Sequence, residues 1–269
     1  MVNNKQRGPL SQFILFISTI ALASSLKAQA PCGAADMNGD FATQPVGILI
    51  ATPPGAPPAG PFAATGILHF DGKSRFAGTA SSSFNGLIFF PFEATGTYTV
   101  TADCFVSVFE ETLGIIFEGY LTKDRSQVVF VQPQPFTVTT NVLRRLQLPP
   151  CDVGNSRENW AIQASGRNIT TGQPFAQNGR LEFDGAGKFV GKTTTSNGGV
   201  IVQQNVFGVY NLNRDCTLTI AITDQSAQTS RIFGAFYGDG SEFYLIYQDP
   251  GLVITGVGKK AVGTRNGRN

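Results

Sequence analysis

The residues able to do chemistry are few. His69 is the single histidine and so the single imidazole open to a Ser/His/Asp or Cys/His relay. It alternates with Leu68 and Phe70, a spacing that turns those two side chains toward an interior and leaves His69 on the surface. Asp36-x-Asn38-x-Asp40 places oxygens at the 1-3-5 spacing of a calcium loop, but Phe41 and Gly47 stand where an EF-hand needs Gly at 6 and Glu at 12. That cluster reads as an N-terminal turn, and Asp71-Gly72, Asp184-Gly185 and Asp239-Gly240 read as hairpin turns. Cys32, Cys104, Cys151 and Cys216 show no Cys-x-x-Cys spacing and no paired histidine, so disulfides are expected and a metal centre is not. Glu118, set among Ile115, Ile116 and Phe117, is the foremost candidate for an acid of raised pKa, yet no matched acidic partner accompanies it. Tyr98 and Tyr210 sit in similar Gly-x-Tyr segments, and Phe89, Phe92 and Phe117 belong to a phenylalanine cluster dense enough to line an apolar cavity. These six residues are the ligand-lining candidates; no cofactor motif accompanies them.

What positions them is a chain of 269 residues, 42% hydrophobic and 14% charged, which excludes a disordered charged tail. Twenty basic residues against 18 acidic ones leave no field aimed at nucleic acid. Lys5 and Arg7, the apolar run 13–26 and Ala28-Gln29-Ala30 have the order of a secretory signal over residues 1–30, with cleavage after Ala28 or Ala30. The apolar run falls short of the ~20 residues a membrane-spanning helix needs, so no span is expected after signal removal. Losing Lys5, Arg7 and Lys27, with no acidic residue among them, leaves a net charge of −1. The expected location is secreted or periplasmic.

The remainder reads as one unit written twice. The run Leu68-His69-Phe70-Asp71-Gly72 lines up with Leu181-Glu182-Phe183-Asp184-Gly185, and Gly96-Thr97-Tyr98 followed by Asp103-Cys104 with Gly208-Val209-Tyr210 followed by Asp215-Cys216. Phe41 matches Trp160, Ile116-Phe117 matches Ile232-Phe233, and Arg144-Arg145 matches Lys259-Lys260. The copies occupy 31–148 and 149–269, joined at the stiff Pro149-Pro150. Period-two alternation broken by Gly, Asn and Asp gives strand-like segments in the first copy near 40–50, 61–70, 74–83, 87–99, 103–110, 113–122, 126–132 and 136–145. Eight strands with short connections predict an all-β chain of two tandem eight-stranded antiparallel up-and-down β-barrels; two β-sandwiches are the alternative. Independent folding of the copies pairs Cys32 with Cys104 and Cys151 with Cys216, while the two other pairings would cross-link them.

The doubled Phe-Asp-Gly…Gly-x-Tyr…Asp-Cys pattern, at Phe70 to Cys104 and again at Phe183 to Cys216, resembles uncharacterised bacterial secreted β-repeat proteins, and the architecture resembles calycins such as lipocalins. The resemblance implies barrels and no particular activity. The leading functional reading is an exported, non-catalytic tandem-barrel protein with a small apolar molecule as partner, bound in one or both barrels. A cyclase- or isomerase-type barrel enzyme and a structural or surface-interaction protein are the alternatives. Oligomeric state is not legible.

Overall fold

The computed structural model describes residues 30–51, 57–147 and 151–262. Most of the signal segment, part of the insertion after Ala51, the prolines of the joint and the last seven residues lie outside them. The first barrel is built from β1 (Gly39–Thr43), β2 (Val46–Leu49), β3 (Gly60–Phe70), β4 (Arg75–Phe84), β5 (Leu87–Val100), β6 (Phe105–Glu110), β7 (Ile115–Leu121), β8 (Gln127–Val131) and β9 (Thr137–Arg145). The second is built from β10 (Asn159–Asn168), β11 (Pro174–Phe183), β12 (Lys188–Asn197), β13 (Val200–Leu212), β14 (Thr217–Asp224), β15 (Thr229–Tyr237), β16 (Glu242–Tyr247) and β17 (Leu252–Lys260). All pairings between these strands are antiparallel, and each ring closes, through β3–β4 and β9 onto β1 and β2 in the first barrel and through β10–β17 in the second. Two separate rings exclude two sandwiches and also a single ring of sixteen strands.

The expected first strand, 40–50, is two strands. Pro45 lacks an N–H and fixes its φ, so the ladder stops there, and β1 and β2 share one stave between β3 and β9. A second correction concerns register. Tyr98 lies opposite Val108 and Val108 opposite Phe117, whereas Tyr210 lies opposite Ile220 and Ile220 opposite Ile232. The ladder therefore equates Phe117 with Ile232, one residue off the sequence match with Phe233. Because side chains alternate, that slip decides which face each residue serves: Phe117 points inward, and Phe233 points out of its barrel.

Each ring is stoppered at one end by a disulfide and a short turn. Cys32–Cys104 and Cys151–Cys216 form the bridges, one within each barrel. The adjoining turns are Ala34–Met37 and Val153–Ser156. Both Cys104 and Cys216 adopt left-handed φ, near 70° and 67°, and donate their N–H groups to Thr101 and Asn213. Aromatic packing fills the space above. Phe70 contacts Phe41, Phe76 and Tyr98 in the first barrel; Trp160 meets Phe236 and Phe243 edge-on in the second, beside Phe183 stacked on Tyr210 at 4.1 Å.

The Asp-Gly pairs do make hairpin turns. Asp71 Oδ1 accepts the N–H groups of Lys73, Ser74 and Arg75, and Asp184 Oδ1 those of Ala186 and Lys188, with Gly72 and Gly185 at positive φ as such turns require. The Arg75 and Lys73 N–H groups hold the Asp71 carboxyl at about 2 rather than 3.8, and the Thr122 and Ser126 side chains do the same for Asp124. A carboxylate whose folded pKa is depressed stabilises the fold above its unfolded value and loses that contribution as pH falls toward the folded one. Thermal melting is therefore expected to be flat down to about pH 4 and to fall between about pH 4 and 2. Asp71→Asn should flatten part of that fall, read by circular dichroism.

The barrels are not independent beads. Strand residues 62–68, 232–237 and 243–247 are buried without alternation, because one face of each strand lines a barrel and the other meets the neighbouring barrel. Ala42 and Ile67 pack on Ala235, Tyr237 and Tyr244, while Ala63 packs on Phe233, Ile246 and Val253. Freed by the break at Pro45, the Gln44 amide donates to Thr255 Oγ1 at 2.7 Å and to the Gly256 carbonyl at 2.8 Å. Ser83 donates to the Leu252 carbonyl, and Gln248 to Ser81 Oγ. Arg144 lies over the Tyr237 ring at 4.8 Å and 3.6 Å from Glu242. On the far side of barrel 1, the outer faces of β7 to β9 leave Tyr120, Val129, Val131 and Val138 exposed.

Candidate functional site

The two interiors differ at the end opposite the disulfide. In barrel 1 that end is filled by Leu49, Phe62, Ala64 and Phe84, with Phe89 and Leu113 packed on them. A cavity of about 70 Å³ remains, lined by Phe76, Phe92, Phe117 and Phe130 among others. An engineered apolar cavity that takes up benzene measures ~150 Å³, so this one has about half that room. Glu110 reaches its edge, but its carboxylate oxygens accept the N–H groups of Thr112 at 2.9 Å and Leu113 at 2.7 Å, capping the turn.

In barrel 2 the corresponding end is an open cup of about 460 Å³. Ladder register matches the walls position by position. Ala64 faces Ser82 as Gln177 faces Thr195, Phe62 faces Phe84 as Phe175 faces Asn197, and Ala80 faces Phe92 as Thr193 faces Gln204. Where barrel 1 places Ala64, Phe84 and Phe92, barrel 2 places Gln177, Asn197 and Gln204. The rim adds Asn168, Gln173, Gln228 and Ser230, and Val202, Ile222 and Leu252 supply apolar wall.

These polar groups are ordered. Tyr247 donates its hydroxyl to Gln177 Oε1, and Gln177 Nε2 donates to Thr195 Oγ1 at 3.0 Å. Burial, with the nearby Asp249 charge, pushes the Tyr247 hydroxyl well above its ordinary range, so it remains a donor. Phe175 contacts the Tyr247 ring edge-on at 5.9 Å. Asp224, the one ionisable carboxylate on the wall, accepts from the Ser226 hydroxyl and N–H and from Gln228 N–H, and Gln204 also reaches it; the Ser226 hydroxyl is the main influence holding its pKa below the ordinary value. Thr193, the cross-strand neighbour of Gln204, keeps a buried hydroxyl with no partner among the described residues.

Of the six ligand-lining candidates, Phe92 and Phe117 do face the small cavity of barrel 1. Phe89 packs in the apolar layer above it, against Phe84. Tyr98 is a core ring whose hydroxyl donates to the Ala34 carbonyl, and burial with the nearby Asp71 charge pushes its pKa to about 12. Tyr210 belongs to the closed end, bonded to Ser156 and accepting from Gly185 N–H. Glu118 is on the outer wall, because its inward neighbour is Phe117. His69 is exposed, its Nδ1 2.7 Å from Asp40. The cup itself escaped the sequence reading. The available signal was a contrast between aligned copies, phenylalanine and alanine in one against glutamine and asparagine in the other.

No family model matches the chain, and no curated protein matches it. Among solved structures, the isotype 1 transferrin binding protein B of serogroup B Neisseria meningitidis is similar at a TM-score of 0.30 and 8% identity, over 83% of this chain and 76% of that one. Kievitone hydratase from Nectria haematococca is similar at 0.26 and 5%, over 86% and 93%. A protein of unknown function from the DUF3598 family of Nostoc punctiforme is similar at 0.24 and 10%, over 88% and 100%. At these scores none of the likenesses carries an argument about function.

Proposed function

We propose that the protein is an exported, non-catalytic binding protein made by duplication, in which barrel 1 is a filled support and barrel 2 takes a small ligand at its open end. The observation that carries this reading is the contrast between about 70 Å³ and about 460 Å³ at corresponding ends of the two barrels. Small-molecule sites are concave and largely preformed, and the cup has that character. Export is supported by the signal-like segment 1–30 and by two disulfides, bonds that persist in oxidising compartments. A small apolar molecule remains a reading for barrel 1 only at a size below benzene. An isomerase-type role is less well supported, since Glu118 lies outside the barrel and Glu110 is engaged by backbone donors. The exposed band at Tyr120, Val129, Val131 and Val138 favours a surface-interaction role as a second reading.

A fragment library screened by amide chemical shifts tests the assignment. Hits are expected to move Gln177, Thr195, Gln204 and Tyr247. Hits confined to the surroundings of Phe92 and Phe117, or none at all, would count against it.

A further inference from the structure

Resting on the reading of barrel 2 as the binding barrel, we infer that its cup takes a neutral polyhydroxylated ligand, a saccharide of one or two rings. The first support is the hydrogen-bonding inventory. Amides and hydroxyls both donate and accept, and sugar hydroxyls require both at closely spaced points. Gln177, Thr195, Gln204 and Asn197 supply them around one wall, with the Tyr247 hydroxyl fixing Gln177 from below. The second support is charge. Among the described residues no Lys, Arg or His lines the cup, so a carboxylate, sulfate or phosphate ligand would enter without a counter-charge. Asp224, the one carboxylate on the wall, is engaged by the Ser226 and Gln228 turn and offers little to a cation.

The third support is the apolar part of the wall. Phe175 and Tyr247, with Val202, Ile222 and Leu252, give surface for the C–H faces of a ring without excluding its polar edge. The fourth is internal to the chain. Barrel 1 demonstrates that Ala, Phe and Phe at these ladder positions close the same end with apolar contacts, whereas barrel 2 carries Gln, Asn and Gln. A purely apolar ligand would desolvate those amides and leave their remaining donors and acceptors unpaired, a penalty that a hydroxylated ligand avoids.

The experiment titrates the intact chain with glucose, galactose, N-acetylglucosamine and cellobiose, and in a parallel arm with palmitate, following amide shifts and heat. At least one saccharide is expected to saturate the cup resonances in the millimolar range or below. Gln204→Ala, half-exposed at the mouth, and Tyr247→Phe, which keeps the ring, should each weaken binding by roughly five- to tenfold, the effect of one lost hydrogen bond. Both variants are checked for wild-type melting, and Lys192→Ala on the outer wall should bind as wild type. If palmitate moves the cup resonances and no saccharide does, the ligand class is wrong and the cup stands. If neither moves them, both readings fall.

Discussion

Ala235→Asp is expected to convert one cooperative unfolding transition into two. Ala235 is fully buried, yet it points out of its own barrel and into the contact with Ala42 and Ile67. A carboxylate there would lie among apolar side chains, with the cation of that contact, Arg144 opposite Ala42, already turned to the Tyr237 ring and Glu242, and a buried charge left uncompensated costs about 3–5 kcal/mol. The penalty falls on the joint and not on either core, because the residues packed inside the rings, Trp160 and Phe243 in one and Phe70 and Tyr98 in the other, are untouched. Calorimetry should therefore resolve a separate melt for each barrel, and small-angle scattering a larger radius. Val190→Asp, on an exposed outer position, is the matched control. A single transition at the wild-type temperature would show that the contact contributes little to cohesion.

The second large effect is expected from the disulfides. Cys151 and Cys216 are 65 residues apart and Cys32 and Cys104 72 apart. Closing loops of that length lowers the entropy of the unfolded chain by an amount worth about 4 kcal/mol for each bridge in the chain-entropy model. Replacing Cys151 and Cys216 with alanine also removes the tether of the Val153–Ser156 turn, whose Ser156 bonds Tyr210 across the closed end. The guanidinium midpoint of that double variant should fall well below wild type, and reductant should lower the wild-type midpoint further, since it opens both bridges. A midpoint indifferent to reductant would remove the bridges from the account of stability.

Much of the architecture could be read from side-chain alternation. Leu68 with Phe70, and Leu218 with Ile220 and Ile222, are spaced two apart because each pair lines an interior. The break in the first stave was less legible, although Pro45 carried the signal. The joint between barrels was hidden for a different reason. Residues 232–237 and 243–247 abandon alternation, a pattern that marks a strand covered on both faces, but it fits a strand deep in one core equally well. The cup was hardest to see. Gln204 looks like a surface residue until the ladder shows it two places from buried Val206, on the same inward face. Glu118 misled in the opposite sense, since apolar neighbours in sequence are not neighbours in space when successive side chains face opposite ways.

The contact between the barrels joins unlike sides: β1, β3 and β4 of the first meet β15 to β17 of the second. Such head-to-tail packing is not self-limiting at two, and a string of identical units would either close into a ring or lengthen into a fibre, according to the rotation between them. Barrel 1 still displays the sticky side of that arrangement at Tyr120, Val129, Val131 and Val138. The receiving side of barrel 2 has been altered, with Arg180 and Lys192 where barrel 1 has Ile67 and Thr79. A third member docked there would have to desolvate Lys192 and the Arg180–Glu182 pair, a cost that weighs against growth beyond two.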